Sequence, residues 1–394
     1  MSTAENNIIV CGRYIIELLH SVLYDRKPEE KPEGISFEEV FALAKKHCLQ
    51  TMTYEGIARL ENRPAAELKD RWRKSQTTNI AKNLIQRSER DTILSALTQQ
   101  GIDLLPLKGC QMIEMYPKPE YRQMSDLDIL CREEQAGQIR ESLTAMGYEC
   151  DAFDAKNDDS YVKKPYMHVE MHRHLFGKNC WEELLKEYYQ DEWARARQCG
   201  ENEHLYYFSW EDYYVYMLAH FFKHFNSGGS GIRNVMDVHV FLAQYGDALD
   251  RAYVDRELEK MELTKFRRDM EELAEQWFGE TQDLESVRED LEETIFTSGA
   301  YGLLYNVRTR KIRSLEEESG RGKILPRIKY ILWILFPDYD RLVGQYPQFV
   351  GKQKWLPLLW FYRIGDKLIR DPERMTGNIK AMRDTRKKDH ENEG

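Results

Sequence analysis

The period of the hydrophobic pattern changes twice along this chain of 394 residues, and these changes limit the folds it can adopt. Between residues 7 and 98, apolar side chains recur at helical spacing, which is typical of helices that bury one face. Short apolar runs replace this pattern after Gly101, and helical spacing returns at Ser209. We therefore predict an α+β fold in which N-terminal helices and a mostly helical C-terminal region flank a small mixed β-sheet.

The predicted sheet lies between Gly101 and His174. Runs with the length and composition of strands are found at 102–107, 125–131, 148–153, 161–164 and 166–174. A helix whose apolar face includes Ile139 and Leu143 separates the second run from the third, and Gly147 is placed to end that helix. The order of strands and helices is that of a compact layered core.

These patterns divide the chain into four regions. We predict an N-terminal helical region at 1–98, a core that holds the sheet at 99–208, a helical C-terminal domain at 209–375 and a disordered tail at 376–394. The tail is assigned to disorder because it is polar and densely charged. We expect the C-terminal domain to form the second wall of a cleft whose first wall is the core.

Charge and cysteine content narrow the partners and the compartment. The chain has 67 acidic and 57 basic residues and a formal net charge of -10, so its surface as a whole repels nucleic-acid backbones. Its cysteines are odd in number, dispersed and without a C-x-x-C pair, which indicates reduced thiols and a cytoplasmic location. The first residues lack a basic segment, and no apolar run approaches the roughly 20 residues that span a bilayer. We expect neither secretion nor membrane insertion.

Two acidic residues alternate with apolar ones in the run Asp126-Leu127-Asp128-Ile129-Leu130. If this run is a strand, both carboxylates project from one face while Leu127 and Ile129 bury the other. Paired carboxylates repel each other unless a cation lies between them, and Mg²⁺ or Mn²⁺ takes carboxylate and phosphate oxygens as ligands. Two such ions together are able to serve the attacking and the leaving oxygen of a displacement. The alternative is a solvent-facing strand whose polar face is acidic by chance.

Other motifs surround the acidic pair in a definite order. They are Lys108-Gly109, Arg122-x-x-Ser125-Asp126-x-Asp128-x-Leu130, Gly147-Tyr148 after a helix, and Val169-Glu170-x-His172. This order resembles the uncharacterised bacterial nucleotidyltransferase family within the polymerase-beta-like superfamily. The resemblance covers roughly residues 100 to 245 and depends on the combination of motifs.

The resemblance implies an enzyme that moves a nucleoside monophosphate from a nucleoside triphosphate to a hydroxyl-bearing acceptor and releases pyrophosphate. It implies that Asp126, Asp128 and Glu170 are the catalytic, metal-binding acids, with two Mg²⁺ or Mn²⁺ ions as cofactors. The sequence supports the third acid independently, because Glu170 shares the polar face of a predicted strand with several histidines. Glu170 would serve as a metal ligand or as the base that takes the proton of the acceptor hydroxyl.

The phosphate turn departs from the superfamily pattern. Gly109-Cys110 stands where Gly-Ser or Gly-Gly is usual, and the gap to the acids is longer. We therefore expect positive charge for the phosphates from Lys108 and from Arg122, whose guanidinium is able to bind two oxygens at once. The predicted nucleotide- and phosphate-binding residues are Lys108, Gly109, Arg122, Ser125 and Arg233. The alternatives are a solvated lysine and an arginine that pairs with one of the acids.

Histidines near the third acid permit another chemistry. His168, His172 and His174 share a strand face with Glu170, and imidazole with carboxylate is a set that binds zinc. Neighbouring positions on one strand face are about 7 Å apart, so few of these side chains reach one ion together. We expect His172 to orient an acid from outside the ligand shell, or to be a surface residue of the strand.

The helical C-terminal region contains a further polar set. His220 and His224 share a helix face, and a glycine-rich loop then leads to Arg233 and Asp237. A glycine loop that leads into a helix N-terminus is able to cradle an anion, with Arg233 placed to contact a phosphate. The alternative is a connector followed by an ordinary Arg233–Asp237 ion pair.

Two later segments do not identify a substrate. A basic stretch at 308–329 is typical of a solvated helix face, although such patches also bind RNA, and the aromatic segment at 355–362 is typical of a core or an interface. We expect the partners to be a nucleoside triphosphate and an acceptor that is a small molecule rather than nucleic acid. The base, the acceptor's identity and the oligomeric state stay open at this point. The rival hypotheses are an inactive relative that binds a nucleotide or partner, a transferase that acts on RNA or protein, and a histidine-based metal hydrolase.

Overall fold

The computed structural model describes most of the N-terminal three quarters of the chain. The described residues are 3–153, 158–177, 182–200, 202–300, 351–370 and the single positions 336, 339, 342, 346 and 349. The chain divides into one unit of residues 1–225 and 230–301 and another of residues 226–229 and 302–394. The basic stretch at 308–329 and the tail at 376–394 lie outside the described residues. The predicted four-region division stays a prediction.

Four helices precede the sheet, as the periodicity predicts. They are α1 (Thr3–Leu23), α2 (Phe37–Lys46), α3 (Gln50–Ile57) and α4 (Ala66–Thr98). The buried face of α4 is partly polar, since the side-chain amides of Asn79, Asn83 and Gln86 are all buried. Asn83 donates to the backbone oxygen of Pro119 at 2.9 Å, and Gln86 donates to that of Met124 at 3.5 Å. These contacts fasten α4 to the segment that leads into the acidic strand.

The sheet is mixed and has seven strands within the described residues. They are β1 (Leu104–Pro106), β2 (Leu127–Cys131), β3 (Glu149–Ala152), β4 (Asp158–Lys163), β5 (Met167–His172), β6 (Arg197–Cys199) and β7 (Asn202–Tyr207), in the order β3-β4-β5-β2-β1-β7-β6. The five predicted strands are confirmed. The sequence did not indicate β6 and β7, because none of their residues is fully buried and they therefore lack the alternation that predicts a strand.

Within the described residues, three short helices connect the strands. They are α5 (Gly109–Met112), α6 (Ala136–Ala145) and α7 (Glu183–Tyr188). Helix α6 ends as predicted, because Gly147 adopts a φ of 85° just beyond it and this left-handed conformation favours glycine. The end of α6 thus returns the chain to the sheet at β3.

Helices follow the sheet, as the return of helical spacing predicts. They are α8 (Trp210–Gly228), α9 (Ile232–Tyr245), α10 (Arg251–Glu259), α11 (Thr264–Phe278), α12 (Glu289–Ser298) and α13 (Leu356–Arg370). Ser209 caps α8 by accepting a hydrogen bond from the backbone N–H of Asp212 at 3.1 Å. Across the described parts of the chain, no helix has an apolar stretch of the length that crossing a bilayer requires.

The two faces of β2 belong to different apolar cores. Leu127 and Ile129 pack with the residues of α4 and α6 that face the sheet. Leu130 lies in the larger core, which contains residues of α8, α9 and α11. Because side chains alternate along a strand, Asp128 shares the face of Leu130 and is directed toward the side of α8 and α9. The fold therefore turns the acidic face of the sheet toward a helical wall.

The described part of the second unit centres on α13. Leu342, Tyr346 and Leu359 are buried together, while Trp355 and Phe361 are exposed, at 59% and 68%. The aromatic segment at 355–362 therefore contributes to a small core through one face only.

Candidate active site

The parallel pairing of β2 with β5 brings the predicted acids together. In this register Asp128 lies opposite Glu170, and Leu130 lies opposite His172. Asp126 directly precedes β2, and its carboxylate accepts a hydrogen bond from the hydroxyl of Ser125 at 2.7 Å. Two strands that are distant in sequence thus bring three carboxylates to one face of the sheet.

The carboxylates form two groups that are geometrically able to hold a metal ion. One group is Asp126, His168 and Glu170, and the other is Asp128, Glu170 and His172; within each, the possible ligand atoms lie within 4.8 Å of one another. Glu170 belongs to both groups. This arrangement fits two neighbouring ions that share one carboxylate.

The donor set favours a hard cation over zinc. Each group offers two carboxylates and one imidazole, and neither group found among the described residues contains two histidines. His174 lies beyond β5 and contacts a carboxylate oxygen of Glu192 at 3.0 Å through Nδ1. Oxygen-rich sets suit Mg²⁺ or Mn²⁺, whereas zinc sites take mainly histidine and cysteine.

Lys108 lies at the turn between β1 and α5 and faces the acids. Its Nζ donates a hydrogen bond to Oδ1 of Asp128 at 2.8 Å, and its backbone oxygen accepts one from the Tyr213 hydroxyl at 2.8 Å. Its φ of 45° is in the left-handed region, which costs free energy for a residue with a side chain. The contact with Tyr213 helps to hold this backbone conformation, and the lysine is thereby directed at Asp128.

The side chains of Lys108 and His172 keep Asp128 ionised. Burial alone would raise the pKa of Asp128, but Lys108 and His172 hold it well below its usual value. His172 approaches the same oxygen as Lys108 does, with Nε2 at 2.7 Å from Oδ1 of Asp128. His172 therefore contacts the acid that it is expected to orient. The same imidazole also belongs to one of the two groups that are able to hold a metal ion.

Glu170 has the opposite electrostatic environment. Burial and then the negative charges of Asp128 and Asp126 raise its pKa. Its side chain remains about one quarter exposed, at 25%, so it is accessible from the cavity. A cation between the three carboxylates would relieve this repulsion.

Arg122 is engaged in a buried ion pair. Its Nε and Nη2 donate to the two carboxylate oxygens of Asp237 at 2.8 and 2.9 Å, and the Tyr116 hydroxyl donates to the same carboxylate at 2.7 Å. The alternative in which Asp237 pairs with Arg233 is wrong, because Asp237 is bound across the fold by Arg122. The phosphate-binding role of Arg122 stays a prediction. Because Nε and Nη2 are bound to Asp237, a phosphate would have to accept its hydrogen bond from Nη1.

Gly109 is needed for packing against that same guanidinium. A Cβ at this position would lie 2.6 Å from Nη1 of Arg122 and 3.1 Å from Sδ of Met124. The neighbouring Cys110 is buried and donates through Sγ to the backbone oxygen of Asp128 at 3.5 Å, and burial raises the pKa of its thiol to about 12. The turn is therefore closed by protein atoms on one side, and Cys110 is a neutral structural residue.

Arg233 lies at the start of α9 and reaches toward the acids. Its Nη1 donates to the backbone oxygen of Gln123 at 2.8 Å, while its buried Nε has no hydrogen-bond partner among the described residues. The first amide of α9 does not serve an anion, since the N–H of Ile232 donates to Nδ1 of His47 at 3.1 Å. The predicted anion cradle is thus reduced to the side chain of Arg233.

One face of α8 supplies the opposite wall of a cavity of about 310 Å³. The lining residues on α8 are Tyr213, Tyr216, Met217, His220, Phe221 and His224. The two histidines that the sequence places on one helix face are in contact, with Nε2 atoms 3.0 Å apart. Burial lowers the pKa of His220 well below its usual value, so this imidazole is neutral at physiological pH. The sequence indicated the pair but not that it faces the acids.

Sequence reasoning missed the contribution of α4. Lys82 lies one helical turn before Gln86 on the side of α4 that faces the acidic segment, and Asp126 and Arg233 are among the charged groups that act on it. The only signal was the polar stripe of Asn79, Asn83 and Gln86 at helical spacing, which resembles an ordinary solvated face.

Most of the chain matches one known protein family. The family described as "Uncharacterised nucleotidyltransferase" matches residues 33–279, which is more than half of the chain. No curated protein and no solved structure matches the chain. The match includes every predicted site residue and extends into the helices on both sides of the sheet.

Proposed function

Because the chain belongs to the uncharacterised nucleotidyltransferase family, we propose that it transfers a nucleoside monophosphate from a nucleoside triphosphate to an acceptor hydroxyl, with Asp126, Asp128 and Glu170 as its metal-binding acids. The family assigns the reaction class, and the enzyme is a nucleotidyltransferase. The order of motifs along the chain further supports membership of the polymerase-beta-like superfamily.

The observation that carries the metal assignment is the meeting of three carboxylates in two groups that share Glu170. The donor atoms of each group are close enough for one ion, and their chemistry fits Mg²⁺ or Mn²⁺. When bound at such a site, these ions neutralise the negative charge that develops on the phosphate oxygens and on the leaving group.

The chain's own residues divide the remaining tasks. Asp128 is kept in its carboxylate form by Lys108 and His172, so it is ready to act as a ligand. Glu170 is the acid whose environment favours proton uptake, and we assign to it the acceptance of the hydroxyl proton or a place among the residues that would hold a metal ion. Lys108 and Arg233 supply positive charge to the phosphates, and Ser125 fixes the carboxylate of Asp126.

The reaction is an in-line displacement in which the fold mainly positions the reactants. The acceptor oxygen forms a bond to the α-phosphorus, the bond from that phosphorus to the bridging oxygen breaks, and the electron pair leaves with pyrophosphate. The hydroxyl proton passes to Glu170 or to water. Positioning and charge neutralisation provide most of the acceleration in such reactions.

A small molecule is the proposed acceptor. The cavity of about 310 Å³ is at the lower end of the range for small-ligand sites, and the net charge of -10 does not favour a nucleic-acid partner. The aromatic and imidazole side chains of α8 offer stacking surfaces and hydrogen-bonding groups for a nucleoside or an acceptor ring.

The deciding experiment is incubation of the full chain with each α-labelled nucleoside triphosphate, Mg²⁺ or Mn²⁺, and a cell extract. Label that is retained on a small molecule, on RNA or on protein identifies the acceptor class, and pyrophosphate release measures turnover. Asp128→Asn should leave folding largely intact and remove metal-dependent nucleotide binding. Asp151→Asn, at an exposed position on β3, should behave as the wild type. Unchanged nucleotide binding by Asp128→Asn would rule out the metal assignment.

A further inference from the structure

The cations around the acids differ in how much of their hydrogen-bonding capacity is already used. Lys108 is bound to Asp128, and the guanidinium of Arg122 is bound to Asp237 through two of its nitrogens. These are two of the three cationic side chains that the sequence assigned to the phosphates, and Arg233 is the third. A strong phosphate site therefore needs donors from elsewhere.

Arg233 has such a donor. Its Nε is buried and without a hydrogen-bond partner within the described parts of the chain. A buried N–H that lacks a partner costs free energy, and an anion in the adjacent cavity, which Arg233 lines, removes that cost. The arginine is held in place by the bond from its Nη1 to the backbone oxygen of Gln123.

Lys82 is the second available cation. It is half-buried on α4 and forms no hydrogen bond or ion pair with any residue that the structure describes. Burial lowers the pKa of its ammonium group, Cys48 and then the carboxylate of Asp126 partly offset this change, and the positive charge of Arg233 adds to it. A desolvated ammonium is stabilised by an anion that binds beside it.

The backbone contacts place these two cations on either side of one segment. Gln86, one turn after Lys82 on α4, donates to the backbone oxygen of Met124, and Arg233 on α9 donates to that of Gln123. Residues 123 and 124 lead directly to Asp126. Lys82 and Arg233 therefore lie on two helices that both contact the segment before Asp126.

We propose that Lys82 and Arg233 together bind the terminal phosphates of the nucleoside triphosphate, the part that leaves as pyrophosphate. This inference rests on the proposed function. It orients the substrate, since the triphosphate then runs past Asp126 toward α4 and the start of α9. The nucleoside and the acceptor are left to share the wall formed by α8.

The test is binding of inorganic tripolyphosphate in the presence of Mg²⁺, measured by titration calorimetry on the full chain. Each lost charge-assisted hydrogen bond should weaken binding by roughly tenfold or more, so Lys82→Gln and Arg233→Gln should each raise the Kd by at least that factor. Lys82→Arg should restore most of the affinity. Lys74→Gln, at an exposed position on the same helix, is the matched control and should bind as the wild type does. Thermal unfolding of each variant checks that the fold is retained.

The outcomes separate this inference from the proposed function. Wild-type affinity in Lys82→Gln overturns the inference, even if the enzyme transfers nucleotides. Loss of tripolyphosphate affinity in Lys82→Gln with wild-type affinity for Mn²⁺ alone supports it, even if no transfer is found. Equal weakening of Mn²⁺ and of tripolyphosphate binding overturns it, because Lys82 would then act on the metal site. If the wild type binds neither probe, both proposals fail.

Discussion

A buried histidine that directly follows α2 and contacts the first residue of α9 should make the stability of the protein depend on pH. His47 is fully buried, its Nδ1 accepts the N–H of Ile232 at 3.1 Å, and its Nε2 lies 3.1 Å from the backbone oxygen of Phe296. Because Nδ1 accepts, Nε2 carries the hydrogen and donates, so the bonded form is the neutral imidazole. Burial lowers the pKa of His47 to about 4, a shift that the carbonyl of Phe296 partly opposes and that Lys46 and Arg233 enhance.

The direction in which stability changes with pH follows from the difference between the pKa values of His47 in the folded and unfolded states. An unperturbed histidine has a pKa of about 6.5, so between about pH 6.5 and 4 the unfolded state binds a proton that the folded state excludes. The contribution of His47 to the free energy of unfolding is therefore fully present above pH 6.5 and is lost as the pH decreases through this window. With about 1.4 kcal/mol for each pKa unit, the loss that is due to His47 approaches about 3 kcal/mol near pH 4.

The measurement is urea unfolding of the wild type and of His47→Gln at a series of pH values from about 7.5 to 4.5. A glutamine offers an oxygen to Ile232 and an N–H to Phe296 but binds no proton, so the variant should lose less stability than the wild type as the pH falls. Subtracting the two curves removes the other titrating groups, which are common to both proteins. Parallel curves for the two proteins would refute the reasoning.

The remaining predictions concern the packing around the phosphate turn. Asp237→Asn leaves the buried guanidinium of Arg122 without its charged partner and should cost about 3–5 kcal/mol in urea unfolding. The double change Arg122→Met with Asp237→Leu should recover most of that loss. Glu61→Gln, which removes the carboxylate of the exposed pair with Lys27, should cost less than about 1 kcal/mol. A small effect for Asp237→Asn would contradict the assignment. Gly109→Ala inserts a Cβ 2.6 Å from Nη1 of Arg122 and should destabilise by about 1–3 kcal/mol. The control is Gly137→Ala, because no atom lies within 4 Å of a Cβ added at that position. This change should be neutral or should stabilise α6 by up to about 1 kcal/mol. Similar changes in stability for the two glycine variants would show that the clash at Gly109 does not exist.

Local regularities in the sequence were sufficient for the class of fold and for the acids. Alternation in the run that contains Asp126 and Asp128 predicts a strand with one acidic face, because side-chain direction along a strand depends only on the parity of position. The helices on both sides and the end of α6 at Gly147 follow from equally local rules. Strands β6 and β7 escaped prediction because neither has a buried face that imposes a pattern.

The nucleotidyltransferase motifs likewise predicted which residues would come together, but not how the charges would be shared. That Glu170 lies opposite Asp128 is a matter of strand register, and the motif order anticipated it. The partner of Asp237 was not predictable, because a helical pair with Arg233 and a long-range pair with Arg122 are equally compatible with the sequence. Only the packing of α9 against the turn selected Arg122.

By itself, therefore, the sequence determined the acidic face, the fold class and the family to which the chain belongs. The tertiary structure decided which cations are occupied and which remain available, since this depends on distances between side chains that are far apart in the chain. Lys82 has no motif and no unusual neighbour in sequence, and its relation to Asp126 and Arg233 exists only once α4 and α9 are fastened to the segment before the acidic strand. Electrostatic interactions act through space, so the phosphate-binding end of a site like this one is decided by how the helices pack.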